Sequence, residues 1–347
     1  MHTAVPLAIL LGLLASLPAP ARSPAPSSTP AARAAIDAST SSILQGDARA
    51  ALDALDVVPA SEFAGVDLDY RRCLFGRFDR SAPPVLSGHV TDPLARDVLH
   101  AYQAYWWYAL NAPATRAHWE AWLLQRLKAQ LGPRAADAGS LDALEPVLIA
   151  ALRDRGYHAL LGVTPPLREL MLWREQETRT FDVVLPEGVQ RVEVDLLDGF
   201  AARGWSAYGR CERGSNGGWA TAEKLFAVRS VYPGGLDGEA FRVVFLAHEA
   251  QHLADKRRYP GIASWELEFR AKLTELALAE TVSEKRLRYI TTAQSENPES
   301  PHTYANKRVV AALTARLGRA PEQVSRAELQ QAARSELAAD TARRTAP

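Results

Sequence analysis

The pattern HExxH at residues 248–252 constrains this chain of 347 residues more than any other feature. Residues four apart lie one above the other on the same face of an α-helix, so the spacing predicts a helix that presents His248 and His252 to one point. Two imidazoles placed in this way can bind one Zn²⁺ ion. Glu249 would project beside them, where its carboxylate can take a proton from a metal-bound water. The motif therefore predicts a zinc site with Glu249 as general base.

The residues around the motif predict that this helix is buried. On a helical wheel of residues 241–259, Phe241 and Phe245 share a side with both histidines, while Leu246 and Ala250 lie on the opposite side. A helix that is apolar nearly all round is usually buried. Buried imidazoles need polar partners, and one metal ion would satisfy both. A chance occurrence of the five-residue pattern is the alternative.

A hydrolytic zinc site needs a third protein ligand and one open position. A histidine ten residues after the first would supply one type of third ligand, but Arg258 stands there. The other type is a carboxylate from a following helix. Pro260-Gly261 predicts the end of the first helix, and residues 264 to about 290 predict a second.

The spacing of the glutamates along this second helix predicts which of them face solvent and which face the first helix. Glu266 shares a stripe with Arg270, which predicts a solvated face with an ion pair one turn apart. Glu268 and Glu275 share a face with Ala271, whose small side chain lets another helix approach closely. We therefore predict Glu268 as the third ligand, and Glu275 as its substitute or as a residue that orients a ligand. The alternative, that both are peripheral carboxylates, stays open.

This arrangement resembles the gluzincin class of zinc metallopeptidases. The resemblance covers about residues 150–290, and its specific part is HEAQH followed by a glutamate on the next helix. It implies zinc on His248, His252 and Glu268, with Glu249 as general base. Residues 170–173, 180–185 and 189–196 alternate or run apolar, which predicts a small β-sheet beside the HExxH helix in a zincin-like catalytic region.

Some positions depart from the gluzincin pattern or leave it open. Many gluzincins carry an acidic residue four positions after the third ligand, where this chain has Lys272. Asp255 shares the face of the histidines, so it is a candidate to orient one of them or to replace Glu268; pairing with Lys256 or Arg257 at the helix end is the alternative. The resemblance also implies a downstream His or Tyr that stabilises the oxyanion, for which the sequence offers Tyr289, His302 and Tyr304.

The first residues predict export. Residues 4–17 form an apolar run, and Ala19-Pro20-Ala21 follows with the small residues that a signal peptidase needs. The run is shorter than the ~20 residues that span a membrane, so we predict a signal peptide at 1–21 and no membrane span after its removal. Residues 22–30, rich in Pro, Ala and Ser, predict a linker. The predicted location is secreted or periplasmic.

Charge and cysteine content narrow the class of protein further. Forty basic and forty acidic residues give a formal net charge of zero, and no basic face emerges, which disfavours nucleic acid as a partner. Cys73 and Cys211 are the two cysteines. In an oxidising compartment such a pair predicts a disulfide, with two unpaired thiols as the alternative.

The chain predicts an α+β fold that is predominantly helical. We expect a helical N-terminal region at 31–158, a catalytic region at 159–293 and a polar, helical C-terminal tail at 294–347. Aromatic residues of the first region at helical spacing favour a packed core over a ligand platform. Residues 199–218 predict a long surface loop, and 224–232 predict an edge strand.

These features together predict a secreted or periplasmic zinc-dependent hydrolase, in particular a metallopeptidase. An extended peptide or protein substrate could add itself to an exposed strand edge through main-chain hydrogen bonds. One alternative is hydrolysis of amides other than peptides. Another is a non-catalytic secreted helical protein with a structural or vestigial metal site.

The signal peptide leads to a direct prediction. Protein exported by a native-like host should begin near Arg22, because the apolar run and the small residues after it form a processing signal. N-terminal sequencing of the exported protein measures this. An intact Met1 on protein from the soluble cytoplasmic fraction would contradict the prediction.

Overall fold

The computed structural model describes residues 27–84, 90–214, 217–221 and 224–345. Within these residues it is predominantly helical with two small sheets, which confirms the predicted α+β class. None of the helices described is both long and apolar enough to cross a membrane. The predicted signal peptide and Arg22 lie outside the described residues.

Six helices form most of the N-terminal region. Four of their starts follow directly from side chains, because Thr29, Asp47, Asp92 and Ser140 each accept the backbone N–H three residues on. Ser28 is buried against Asp67, so the last residues of the predicted linker belong to the packed start of the first helix. The helices are α1 (Pro30–Leu44), α2 (Ala48–Asp56), α3 (Gly65–Phe78), α4 (Pro93–Asn111), α5 (Arg116–Leu131) and α6 (Leu141–Arg153).

Among the residues described, seven strands follow in two sheets rather than the single sheet expected. They are β1 (His158–Thr164), β2 (Leu167–Trp173), β3 (Glu175–Leu185), β4 (Gly188–Asp198), β5 (Ala202–Arg203), β6 (Gly218–Ala220) and β7 (Leu225–Val228). The first sheet is antiparallel with the order β1-β2-β5. The second has the order β3-β4-β7-β6, and only β4 and β7 run parallel. Of the predicted edge strand at 224–232, residues 225–228 do form a strand, but its position at an edge is wrong: β7 is an interior strand, and β3 and β6 are the edges among the described strands.

The first sheet shares one core with the N-terminal helices. Leu170 and Leu172 of β2 pack in the same buried cluster as Trp106 of α4. Helix α7 (Trp205–Gly209) adds Trp205 and Tyr208 to this cluster. The first core therefore extends past residue 158, where the predicted helical region ends.

The predicted surface loop at 199–218 is wrong around α7. Trp205 is only 1% exposed, because the buried carboxylate of Glu169 accepts its backbone N–H at 2.9 Å and holds the start of α7 against β2. Gly204, with φ +91°, lies against the same carboxylate and leaves no room for a Cβ atom. A distant carboxylate thus converts part of a glycine-rich segment into a buried helix.

The HExxH motif begins a helix that lies beside the second sheet, as predicted. A short helix α8 (Glu239–Phe241) leads through one π-helical stretch (Arg242–Ala247) into α9 (His248–Arg258). Val194 of β4 and Leu225 of β7 pack with Phe245 and Ala250 in a second buried cluster. One side of the motif helix is thereby fixed against the sheet.

The remaining helices bury the other side. They are α10 (Ser264–Leu278), α11 (Ser283–Thr292), α12 (Pro301–Leu317) and α13 (Arg326–Thr345). The single helix predicted over 264–290 is wrong, because the chain turns after Leu278, where the carboxylate of Glu239 accepts the N–H groups of Glu280 and Val282. The C-terminal residues are no peripheral tail: Leu313 and Leu337 pack against α10 in a third cluster.

A disulfide joins Cys73 of α3 to Cys211 after α7, as predicted, with Cα atoms 6.2 Å apart. The two cysteines are separated by 138 residues. The bond therefore closes a long loop across the first core.

We expect the double substitution Cys73→Ser and Cys211→Ser to lower the free energy of unfolding by roughly 2–5 kcal/mol, because a long loop is released in the unfolded chain. Urea unfolding of the variant and of oxidised wild type measures the difference. Wild type reduced with a thiol should match the variant. Equal unfolding midpoints for oxidised wild type and variant would contradict this expectation.

Candidate metal centre

Two histidines of α9 form the base of the site. His248 and His252 lie on successive turns, each 8% exposed, and their ring centroids are 4.5 Å apart. The predicted burial of both imidazoles is confirmed. Neighbouring helix α10 supplies the polar groups that meet them.

Glu268 of α10 completes a group of three. Its Oε1 atom lies 3.2 Å from Nε2 of His252 and 3.7 Å from Nε2 of His248. One ligand atom from each residue lies within 4.8 Å of the other two. The structure thus brings together the three predicted ligands, and such a group can hold a metal ion.

The donor set suits zinc. Two imidazole nitrogens and one carboxylate oxygen form a common zinc environment, which leaves a fourth position open. Glu275, fully buried, lies with Oε1 2.5 Å from Nδ1 of His248. A proton held on Nδ1 by this carboxylate leaves the Nε2 lone pair available to a metal. Glu275 therefore orients a histidine, one of its two predicted roles.

The pKa values of the two histidines and of Glu268 are shifted in different directions. Burial by itself lowers the pKa of His248, but hydrogen bonds with Glu268 and Glu275 outweigh burial and raise this pKa to about 9. Burial lowers the pKa of His252 below its usual value. Burial alone would raise the pKa of Glu268, yet its hydrogen bonds to the histidines hold this pKa far below the usual range. At neutral pH Glu268 is therefore a carboxylate, and His248 carries a second proton, which a bound metal ion would displace from Nε2.

Glu249 is not part of the hydrogen-bonded group formed by the two histidines, Glu268 and Glu275. It is half-buried on α9, and within the described parts of the chain no ion pair or hydrogen bond engages its side chain. Burial raises the pKa of Tyr232, and the negative charge of Glu249 raises it further. The Tyr232 hydroxyl donates to the carbonyl of Gly217 at 2.5 Å, next to β6. The Glu249 carboxylate is therefore near Tyr232 and is not neutralised by a cation among the described residues.

Sequence reasoning missed two groups that hold Glu268. Lys272 donates from Nζ to Oε2 of Glu268 at 3.0 Å, and Nδ1 of His302 lies 2.8 Å from the same oxygen. The i,i+4 spacing of Glu268 and Lys272 could have indicated the first contact. The second depends on α12, which no local pattern places.

The other downstream candidates do not reach the three ligands. Tyr289 is 40% exposed, with the Arg286 guanidinium over its ring. Tyr304 packs against Trp265, with ring centroids 5.3 Å apart. Of the three candidates for the oxyanion, His302 is the one in contact with the centre.

The predicted pair of Glu266 with Arg270 is wrong. Arg270 is fully buried and binds Asp255 at 2.9 Å and Asp340 at 2.8 Å, because α13 covers the face that the sequence suggested was solvated. Glu266 instead accepts the N–H of Ala263 at the start of α10. Asp255 faces Arg270 rather than the histidines, which removes it as a substitute ligand.

Comparison with known proteins finds no protein-family model, no curated protein and no solved structure that matches this chain. The chemistry of the centre is accordingly inferred from its own residues and distances.

The geometry separates Glu268 from Glu266. Glu268→Ala should weaken zinc binding by orders of magnitude, because it leaves a site with two histidines. Glu266→Ala should leave zinc affinity unchanged, because Glu266 serves the helix start. Zinc titration against a competing chelator compares the two variants. Zinc release from Glu266→Ala with retention by Glu268→Ala would contradict the assignment.

Proposed function

We propose that this protein is a secreted or periplasmic zinc-dependent hydrolase of gluzincin type that cleaves peptide bonds. The observation that carries the proposal is the convergence of one ligand atom from each of His248, His252 and Glu268, all within 4.8 Å of one another. Glu249, unpaired among the described residues, follows the first histidine on the same helix. The disulfide supports an oxidising compartment.

In the proposed hydrolysis, the three ligands, Glu249 and Glu275 would each have a separate role. His248, His252 and Glu268 would hold the zinc ion, which lowers the pKa of a bound water towards ~7. Glu249 accepts a proton from the attacking water and returns it to the leaving nitrogen. Glu275 keeps His248 in the tautomer that binds metal.

The β6 edge supports a peptide as substrate. Strand β6 has no partner on one side among the described strands, so its free edge offers main-chain hydrogen-bonding groups to an extended segment. A Cβ atom at Gly218 would meet the ring of Phe245 at 2.6 Å, so glycine lets β6 pack directly on the π-helical stretch that leads into α9. An extended peptide could pair with this edge by main-chain hydrogen bonds.

Glu249→Gln tests the proposal. The variant should fold and retain zinc, because Glu249 is not a ligand, while peptide hydrolysis falls by ~10²–10⁴-fold because an amide cannot accept the proton. Zinc content by elemental analysis and cleavage of a proteome-derived peptide library by mass spectrometry give both readouts.

Glu284→Gln is the matched control, since Glu284 is exposed on α11; it should cleave at the wild-type rate. A folded, zinc-loaded Glu249→Gln protein with unchanged turnover would contradict the role of Glu249. Wild-type protein that takes up no zinc would contradict the proposed function as a whole.

A further inference from the structure

We propose that Lys272 and His302 are positioning residues that hold Oε2 of Glu268, so that Oε1 alone is available to the metal. This inference rests on the proposed function, and it concerns how the third ligand is presented. It assigns a role to the position where the chain departs from the gluzincin pattern.

The ammonium group of Lys272 is buried and donates a hydrogen bond to Glu268. Its side chain is 2% exposed, and its Nζ lies 3.0 Å from Oε2, one helical turn after the ligand. A lysine is rarely buried unless its charge is paired, and Oε2 is the one hydrogen-bond acceptor of Nζ in the described part of the chain. A charge-assisted hydrogen bond of this kind is about twice as strong as a neutral one.

His302 approaches the same oxygen from another direction. It belongs to α12, and its Nδ1 lies 2.8 Å from Oε2 while its side chain is 65% exposed. Lys272 therefore holds the oxygen from inside the protein and His302 from the solvent side. Oε1, in contrast, faces the Nε2 atoms of the two histidines.

Whether Glu268 binds the metal through one oxygen or through both decides whether a coordination position of the metal stays open. A carboxylate can bind a cation through one oxygen or through both. With both oxygens bound, Glu268 would occupy the coordination position that a hydrolytic zinc site leaves open for water or substrate. Two donors on Oε2 prevent this, so Lys272 and His302 keep the fourth position free.

X-ray absorption of the zinc-loaded, full-length protein tests the inference, because it counts the nitrogen and oxygen neighbours of the metal without reference to activity. Wild type should show four neighbours, as an open tetrahedral site with one water has. The double variant Lys272→Met and His302→Ala should gain about one neighbour, because Glu268 then binds through both oxygens.

In the Lys272→Met background, His302→Asn in place of His302→Ala restores a donor near the Nδ1 position. It should return the number of metal neighbours towards the wild-type value. Lys285→Met is the matched control, since Lys285 is exposed on α11; its count should equal that of wild type.

If Lys272→Met does not fold, His302→Ala decides: it removes the exposed one of the two donors, leaves the core intact and should raise the mean count part of the way towards that expected for the double variant. A count unchanged from wild type in the folded variants overturns the inference and leaves the proposed function standing. Wild type that binds no zinc overturns both.

Discussion

Four ionisable side chains buried on one helix determine how the candidate centre is built. Glu268, Arg270, Lys272 and Glu275 of α10 are each less than 9% exposed. An unpaired charge in such a place costs several kcal/mol, and removing one partner of a buried pair typically costs 3–5 kcal/mol, as an order of magnitude. Each of the four is paired with a group on the same helix or a neighbouring one. The rotation of α10 about its axis is therefore fixed by charge pairing, and with it the direction of Glu268.

The same pairs distribute charge within the centre. Lys272 faces Glu268, and Arg286 pairs with Glu275, so two of the carboxylates near the histidines are balanced by cations. Glu249 has no such partner among the described residues. The carboxylate that the proposed reaction needs as a base is thus the one left unneutralised, while the ligand and its supporting carboxylate are held in place.

The sequence alone predicted those features of the site that depend on contacts within one helix. Four-residue spacing predicts the two histidines, and the phase of the next helix separates Glu268 from Glu266, because both depend on one helical period. The burial of Arg270 could not be predicted in this way, since its partners Glu187 and Asp340 lie 83 and 70 residues away along the chain. The end of α10 after Leu278 depends on Glu239, from the segment before the motif helix. The contact of His302 with Glu268 likewise requires the packing of α12.

The position of α13 has a consequence for the order of synthesis. Asp340 of this last described helix covers Arg270, and Leu337 closes the apolar side of α10. A growing chain that has emerged only to residue 300 carries all three candidate metal ligands, yet lacks both His302 and the helix that packs α10 in place. A chain of this length therefore has the candidate ligands without the contacts that hold Glu268 and α10 in the described arrangement.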